Sequence, residues 1–211
     1  MEITWLGHSC FVIKGKEQTI ITDPCPPSLG YHLGQRKADI VTLSHLHPGH
    51  SHVEAISNSP KKIKGPGEYE IGGVFITGIA SFHDDKKGSL RGKNTIYVIE
   101  MDDMTLCHLG DLGHALDAQL VEELGDIDVL FLPAGEVSTI PVDTAVEIVR
   151  QVEPPIVIPM HYKTEAFTGK LSPLDKFLYV MKIREPEAKP KLSVTSSSLP
   201  TATQTVVLKY L

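Results

Sequence analysis

Apolar positions follow two different periods along this chain, and the change falls near its middle. In the first half, short β-branched runs bounded by turn residues predict strands over residues 9–14, 18–22, 40–43, 74–79, 95–100 and 104–108. The second half alternates strand and helix. Leu116, Leu120, Val121 and Leu124 form one helical stripe over residues 115–124, and Ala145, Ile148, Val149 and Val152 another over 142–152. Leu174, Phe177, Leu178 and Met181 form a third, over 174–183. Strands are predicted at 128–132 and 156–159, and again at 205–210 after a connector over 185–202 rich in Pro, Lys, Ser and Thr. Strands mixed with amphipathic helices predict sheets covered by helices, an α/β or α+β layered sandwich. With 211 residues and no convincing internal repeat, a single domain over residues 1–211 is expected.

Composition excludes more than it identifies. Hydrophobic residues at 41% and charged residues at 22% are ordinary for a folded domain, so disorder is not expected. A net charge of −6 disfavours affinity built on neutralising a nucleic-acid backbone, and leaves a small-molecule substrate as the expected partner. The start, Met1-Glu2-Ile3-Thr4-Trp5, lacks the basic and apolar regions of a signal peptide, and no apolar run approaches the ~18 residues of a membrane helix. A cytoplasmic protein is the expectation, and oligomeric state stays open. Cys10, Cys25 and Cys107 are odd in number and scattered, which predicts buried free thiols rather than disulfides or a zinc ribbon.

Chemistry collects where predicted strands end. After the strand at 40–43 comes Ser44-His45-Leu46-His47-Pro48-Gly49-His50-Ser51-His52, whose H-x-H-x-x-H spacing lets three imidazoles reach one small volume. His83, Asp111 and His161 follow other strands in the same way. Side chains at strand ends can converge from distant positions onto one sheet edge, so these six residues are candidates for one metal centre.

At these positions the chain resembles the metallo-β-lactamase superfamily, in particular the small metal-dependent hydrolases similar to L-ascorbate-6-phosphate lactonases. The motifs are Thr4-Trp5-Leu6-Gly7-His8, Thr22-Asp23-Pro24, the His45 run, Phe82-His83-Asp84, Gly110-Asp111 and Pro159-Met160-His161-Tyr162. The resemblance implies a four-layer αββα sandwich with metals at the sheet edge. It implies that His45, His47 and His83 hold one ion, that His50 and His161 hold a second, that Asp111 bridges, and that Asp111 and His161 serve the reaction itself. One or two divalent ions are implied, zinc first and manganese second, supporting hydrolysis of a small anionic lactone, ester or phosphodiester.

The departure from this pattern is Gly49, which stands where family members place a metal-binding aspartate. It predicts a weaker second site, partial occupancy or a single ion, and leaves a non-catalytic, metal- or metabolite-binding descendant as the alternative. Asp84, Asp85 and Glu68 are candidate replacements for that carboxylate, with His52 a lesser one. His8 is read as lining the site or as structural, and His32 as a loop residue that could face a pocket. His108 and His114 are read as packing or surface residues, Asp23 as the partner of a ligand histidine, and Arg91, Lys93 and Lys163 as a basic lip or ordinary solvated charge.

Overall fold

The computed structural model describes residues 1–184 and 186–211; Glu185, the first residue of the expected connector, lies outside them. Thirteen strands and three α-helices are formed among these residues. The strands are β1 (Glu2–Gly7), β2 (Cys10–Lys14), β3 (Thr19–Thr22), β4 (Ile40–Leu43), β5 (Lys61–Lys64), β6 (Gly67–Ile71), β7 (Val74–Phe82), β8 (Lys93–Met101), β9 (Met104–His108), β10 (Val129–Pro133), β11 (Ile156–Met160), β12 (Leu192–Ser193) and β13 (Gln204–Thr205). The helices are α1 (Ala118–Leu124), α2 (Val142–Val152) and α3 (Asp175–Val180).

Two mixed sheets result, one ordered β12-β1-β2-β3-β4-β5 and the other β13-β11-β10-β9-β8-β7-β6. Alternation in the first sheet sends Ile3, Trp5, Phe11, Ile13, Ile20 and Ile40 into the large core shared with the second sheet and the helices. The other face, with Leu6, Cys10, Ile21 and Val41, packs under Tyr31, Leu33, Ile56 and Phe167. That face is therefore covered by loop segments and short 3-10 turns, while every buried residue of the three α-helices belongs to the large core. Each fully buried aliphatic or aromatic side chain contributes about 1.5–3 kcal/mol, so the core shared by the two sheets is the main favourable contribution to the sandwich.

Hydrogen bonds pin the two sheets together along one edge. The Tyr97 hydroxyl on β8 donates to the Leu43 carbonyl at 2.8 Å, and the Thr95 N–H to the Ser44 carbonyl at 2.8 Å. His108 Nε2, on β9, donates to the Ser9 carbonyl at 3.0 Å. The His161 N–H and the Trp5 indole N–H both donate to the His8 carbonyl, each at 3.0 Å. The candidate site sits on this edge.

Several expected boundaries move for physical reasons. Helix α1 starts at Ala118 rather than 115, because the Asp117 carboxylate accepts the Leu120 N–H and caps the helix there. Helix α3 spans only Asp175–Val180. The expected strand over 205–210 is not continuous, because the segment changes sheets. Gln204 and Thr205 pair with β11, Leu208 bridges Lys189, and Tyr210 bridges Trp5 in the other sheet. Strands β5 and β6, absent from the sequence reading, are the edges of their sheets. In β5 only Ile63 is buried, and no residue of β6 is, so neither carries the alternation that marks a half-buried strand.

Candidate metal centre

His8, Asp23, His45, His83, Asp111 and His161 leave the ends of β1, β3, β4, β7, β9 and β11, in that order. Their side chains meet at the pinned edge. Gly110 makes the approach of Asp111 possible: its φ is +58°, and a Cβ there would lie 2.4 Å from Asn94 Oδ1 and 2.5 Å from Ser44 Cβ. Asn94 then positions Asp111, accepting its N–H at 3.0 Å while donating to Ser81 Oγ at 2.8 Å and the Leu109 carbonyl at 2.9 Å.

The Asp111 carboxylate is the centre of the cluster. Its Oδ2 lies 3.2 Å from Nε2 of His50, His83 and His161, and 3.9 Å from Nε2 of His45. His45, His47 and His83 form one group whose ligand atoms all lie within 4.8 Å of one another, and His8, His50 and His161 form another. Asp111 Oδ1, His45 Nε2, and Nδ1 of His8, His83 and His161 are buried and without hydrogen-bond partners. Buried polar atoms are nearly always paired, so the unpartnered Asp111 Oδ1 and His45 Nε2 in this cluster are atoms left open for an ion or its water. A set of neutral imidazoles and one carboxylate suits a divalent ion such as zinc. The residues present therefore fit the metal that the sequence implied.

Burial and mutual charge set the electrostatics of the cluster. Burial pushes His45 down to about 3, with the charge on His50 adding to the effect. Burial also opposes the charge on His50, yet Asp111 and Asp23 outweigh it and raise that group to about 10. His8 is held well below its ordinary value by burial and by His161 and His50. For Asp111 burial is outweighed by His161 and His50, which hold the carboxyl well below the usual range. The cluster stabilises positive charge on the axis of Asp111, where a bound cation would replace a proton.

Asp23 hydrogen-bonds one of the candidate ligand histidines, His50. Its Oδ1 accepts the Ser44 N–H at 2.7 Å, and its Oδ2 accepts the Ser44 hydroxyl and, at 3.0 Å, His50 Nδ1–H. This fixes the ring so that Nε2 faces Asp111.

The candidate substitutes for the missing aspartate are elsewhere. Asp84 is buried but caps its own loop, accepting backbone N–H groups of Lys86, Gly88, Leu90 and Arg91 at 2.7–3.0 Å. Asp85 and Glu68 are exposed, and His52 pairs with Glu54 at 3.4 Å. His32 is exposed, His108 is fully buried between the sheets, and His114 accepts the Phe82 N–H at 3.2 Å. Lys163 is half-buried, donating to the Phe167 and Gly169 carbonyls, and so braces a loop instead of forming a lip. Arg91 and Lys93 do line a cleft of about 780 Å³ beside His45 and His47, together with Lys64. Sequence reasoning missed Lys64, Ser44 and Asn94; only Ser44, inside the histidine run, carried a local signal.

Strand ends of a two-sheet sandwich that gather two histidine triads around one aspartate make this a protein with a candidate metal centre at its sheet edge. The model of the β-lactamase superfamily domain matches residues 2–161, ending on His161. A UPF0173 metal-dependent hydrolase of Methanoculleus marisnigri is 30% identical over 187 residues, covering 78% of this chain and 82% of its own. One of Thermoplasma volcanium is 28% identical, covering 88% and 98%. A Thermotoga maritima crystal structure, of a proposed Zn-dependent hydrolase of the metallo-β-lactamase superfamily, superposes with a TM-score of 0.82 at 36% identity over 100% of this chain and 99% of that one. The chain belongs to the metallo-β-lactamase superfamily of metal-dependent hydrolases. Among the described residues no helix is long and apolar enough to cross a membrane.

Proposed function

We propose that this protein hydrolyses a small anionic metabolite at a carbonyl or phosphoryl centre, a lactone, ester or phosphodiester, in the cleft beside His45 and His47. The observation that carries this reading is the Asp111 carboxylate, held 3.2 Å from three imidazole nitrogens with its other oxygen unpartnered. His45, His47 and His83 would hold one divalent ion, and His50 and His161 a second, with Asp111 shared between them. Zinc is the first choice, as in the description of the Thermotoga relative, with manganese the second. Such ions supply Lewis acidity, polarising the attacked oxygen and making water nucleophilic near neutral pH.

The protein's own groups do the rest. Asp111 Oδ1 is free to hold a proton of the attacking water by hydrogen bond, and His161 is fixed for its part by its N–H bond to the His8 carbonyl. Lys64, Arg91 and Lys93 line the cleft and favour an anionic substrate, even though the whole chain carries −6. His47 is exposed where the other members of its triad are buried, so substrate enters on that side. The likeness to lactonases rests on the sequence motifs, and makes lactones the first compounds to assay.

The test is elemental analysis of the purified protein followed by turnover of lactone, ester and phosphodiester panels after loading with zinc or manganese. Bound metal with turnover of at least one anionic substrate supports the reading. Protein that takes up neither ion and turns over nothing refutes it.

A further inference from the structure

We propose that His8 supplies the ligand that Gly49 lacks, so that the second ion is held by His8, His50 and His161 together with Asp111. This rests on reading the cluster as a two-ion site, and it names the residue that completes it.

Four observations converge. The ligand atoms of His8, His50 and His161 lie within 4.8 Å of one another, the same closeness that groups His45, His47 and His83. Zinc–nitrogen bonds of ~2.0–2.1 Å in a tetrahedron set ligand nitrogens about 3.4 Å apart, so the trio reaches that spacing by closing in by at most about 1.4 Å per pair. The His8 ring is 5% exposed as a residue, and its Nδ1 has no hydrogen-bond partner. It packs 4.1 Å from the His161 ring and 4.7 Å from the His50 ring, and stacks on Phe167 at 5.3 Å.

The fourth observation ties His8 to the glycine itself. A Cβ built at Gly49 meets His8 Nε2 at 3.4 Å and His8 Cδ2 at 3.7 Å, with Leu29 Cδ1 also at 3.4 Å. The space that an aspartate side chain would enter is bordered by the His8 imidazole. The backbone at Gly49 is not left-handed and its Cβ contacts are ordinary, so the turn would accept a side chain. A carboxylate there would approach the same region as the imidazole. Exchange of Asp for Gly at this position thus leaves an imidazole, already aimed by β1, in place of a carboxylate borne on the turn.

The test counts ions. Wild type, His8→Asn, Gly49→Asp and His8→Asn/Gly49→Asp are titrated with Zn²⁺ against a chromophoric chelator, and with Co²⁺ by its visible absorption. Asn is chosen because His8 has a φ of 52°, which asparagine tolerates, and the His8 carbonyl keeps its two donors. Thermal melts in chelator confirm that each variant is folded. Wild type is expected to take up two equivalents, His8→Asn to bind the second about 100-fold more weakly, and the double variant to recover it to within about 10-fold. Loss of imidazole ligation should change the Co²⁺ spectrum in His8→Asn. Second-ion affinity in His8→Asn within threefold of wild type overturns the assignment of His8 alone, and so does failure of Gly49→Asp to restore it. Fewer than two equivalents in wild type overturns the two-ion reading on which the assignment rests.

Discussion

Replacing Asp23 with Asn changes one oxygen to an amide nitrogen at a site where every neighbour is a donor. The carboxylate accepts from the Ser44 N–H, the Ser44 hydroxyl and His50 Nδ1. Asparagine can keep its oxygen on the Ser44 N–H, and the hydroxyl can reverse, but its NH₂ then faces His50 Nδ1. His50 must accept there, which moves its proton to Nε2, the nitrogen 3.2 Å from Asp111 Oδ2. A protonated nitrogen cannot ligate a metal. If the amide flips instead, the buried Ser44 N–H loses its acceptor at a cost of about 1–3 kcal/mol.

The charge-assisted bond lost is worth about 1.5–3 kcal/mol, which at about 1.4 kcal/mol per decade is a fall of roughly 10- to 100-fold in affinity for the ion on His50. Asp23 has a φ of 37°, and Asn tolerates this left-handed backbone, so the loop geometry should survive. The assay is competition for Zn²⁺ with a chromophoric chelator, read as two separate equivalents, alongside urea unfolding in chelator. The second equivalent should weaken by the stated factor while the first, on His45, His47 and His83, changes less than threefold. Asp23→Asn binding both equivalents with wild-type affinity would refute the tautomer argument.

Three further outcomes follow from other parts of the molecule. Gly110→Ala forces a Cβ to within 2.4 Å of Asn94 Oδ1 at a φ of +58°, and should lower stability by about 3 kcal/mol in urea titrations, with Asp111 displaced. Cys10, Cys25 and Cys107 are buried, and burial pushes the Cys25 thiol up to about 12 and the other two up as well. An aromatic disulfide reagent at pH 8 should therefore label none in the folded protein and all three in denaturant. For Asp84, burial opposes ionisation but the four backbone N–H groups outweigh it, bringing the carboxyl down to about 2. A depressed folded value stabilises above the unfolded pKa near ~3.9 and is lost as pH falls toward about 2, so Asp84→Asn should reduce the acid dependence of unfolding across that window.

Much of this cluster could be read from sequence because its candidate ligands stand just after apolar runs. His45 follows β4, His83 follows β7 and His161 follows β11, and hydrophobic pattern locates buried strands well. The two-sheet architecture was expected on the same grounds together with the motifs. What escaped were features without a local pattern. The edge strands β5 and β6 carry too little burial to alternate, and the 205–210 segment looks uniformly strand-like although its pairing crosses from one sheet to the other. Asn94 and Lys64 act through partners many residues away, Asn94 on Asp111 and Lys64 on the cleft beside His45. His8 was ambiguous for the same reason, since only folding brings β1 against the turn that carries Gly49.

The difference between His8 and Gly49 is one of rigidity. His8, Asp23 and His161 have left-handed φ values of 52°, 37° and 54°, each immediately after a strand, and non-glycine residues in that region cost of order 1–3 kcal/mol apiece. Such conformations persist only where the surroundings impose them. The His161 N–H is tied to the His8 carbonyl, the Asp23 N–H to the Thr42 carbonyl at 2.9 Å, and the Trp5 indole to the His8 carbonyl. The sandwich core supplies that constraint through the strands that end at these residues. Gly49 belongs instead to the turn closed by the His50 N–H to His47 carbonyl bond, where a side chain can be lost without disturbing a strand. A ligand borne on a turn is therefore the one a metal centre of this build can exchange, provided that a fixed imidazole already borders the same space.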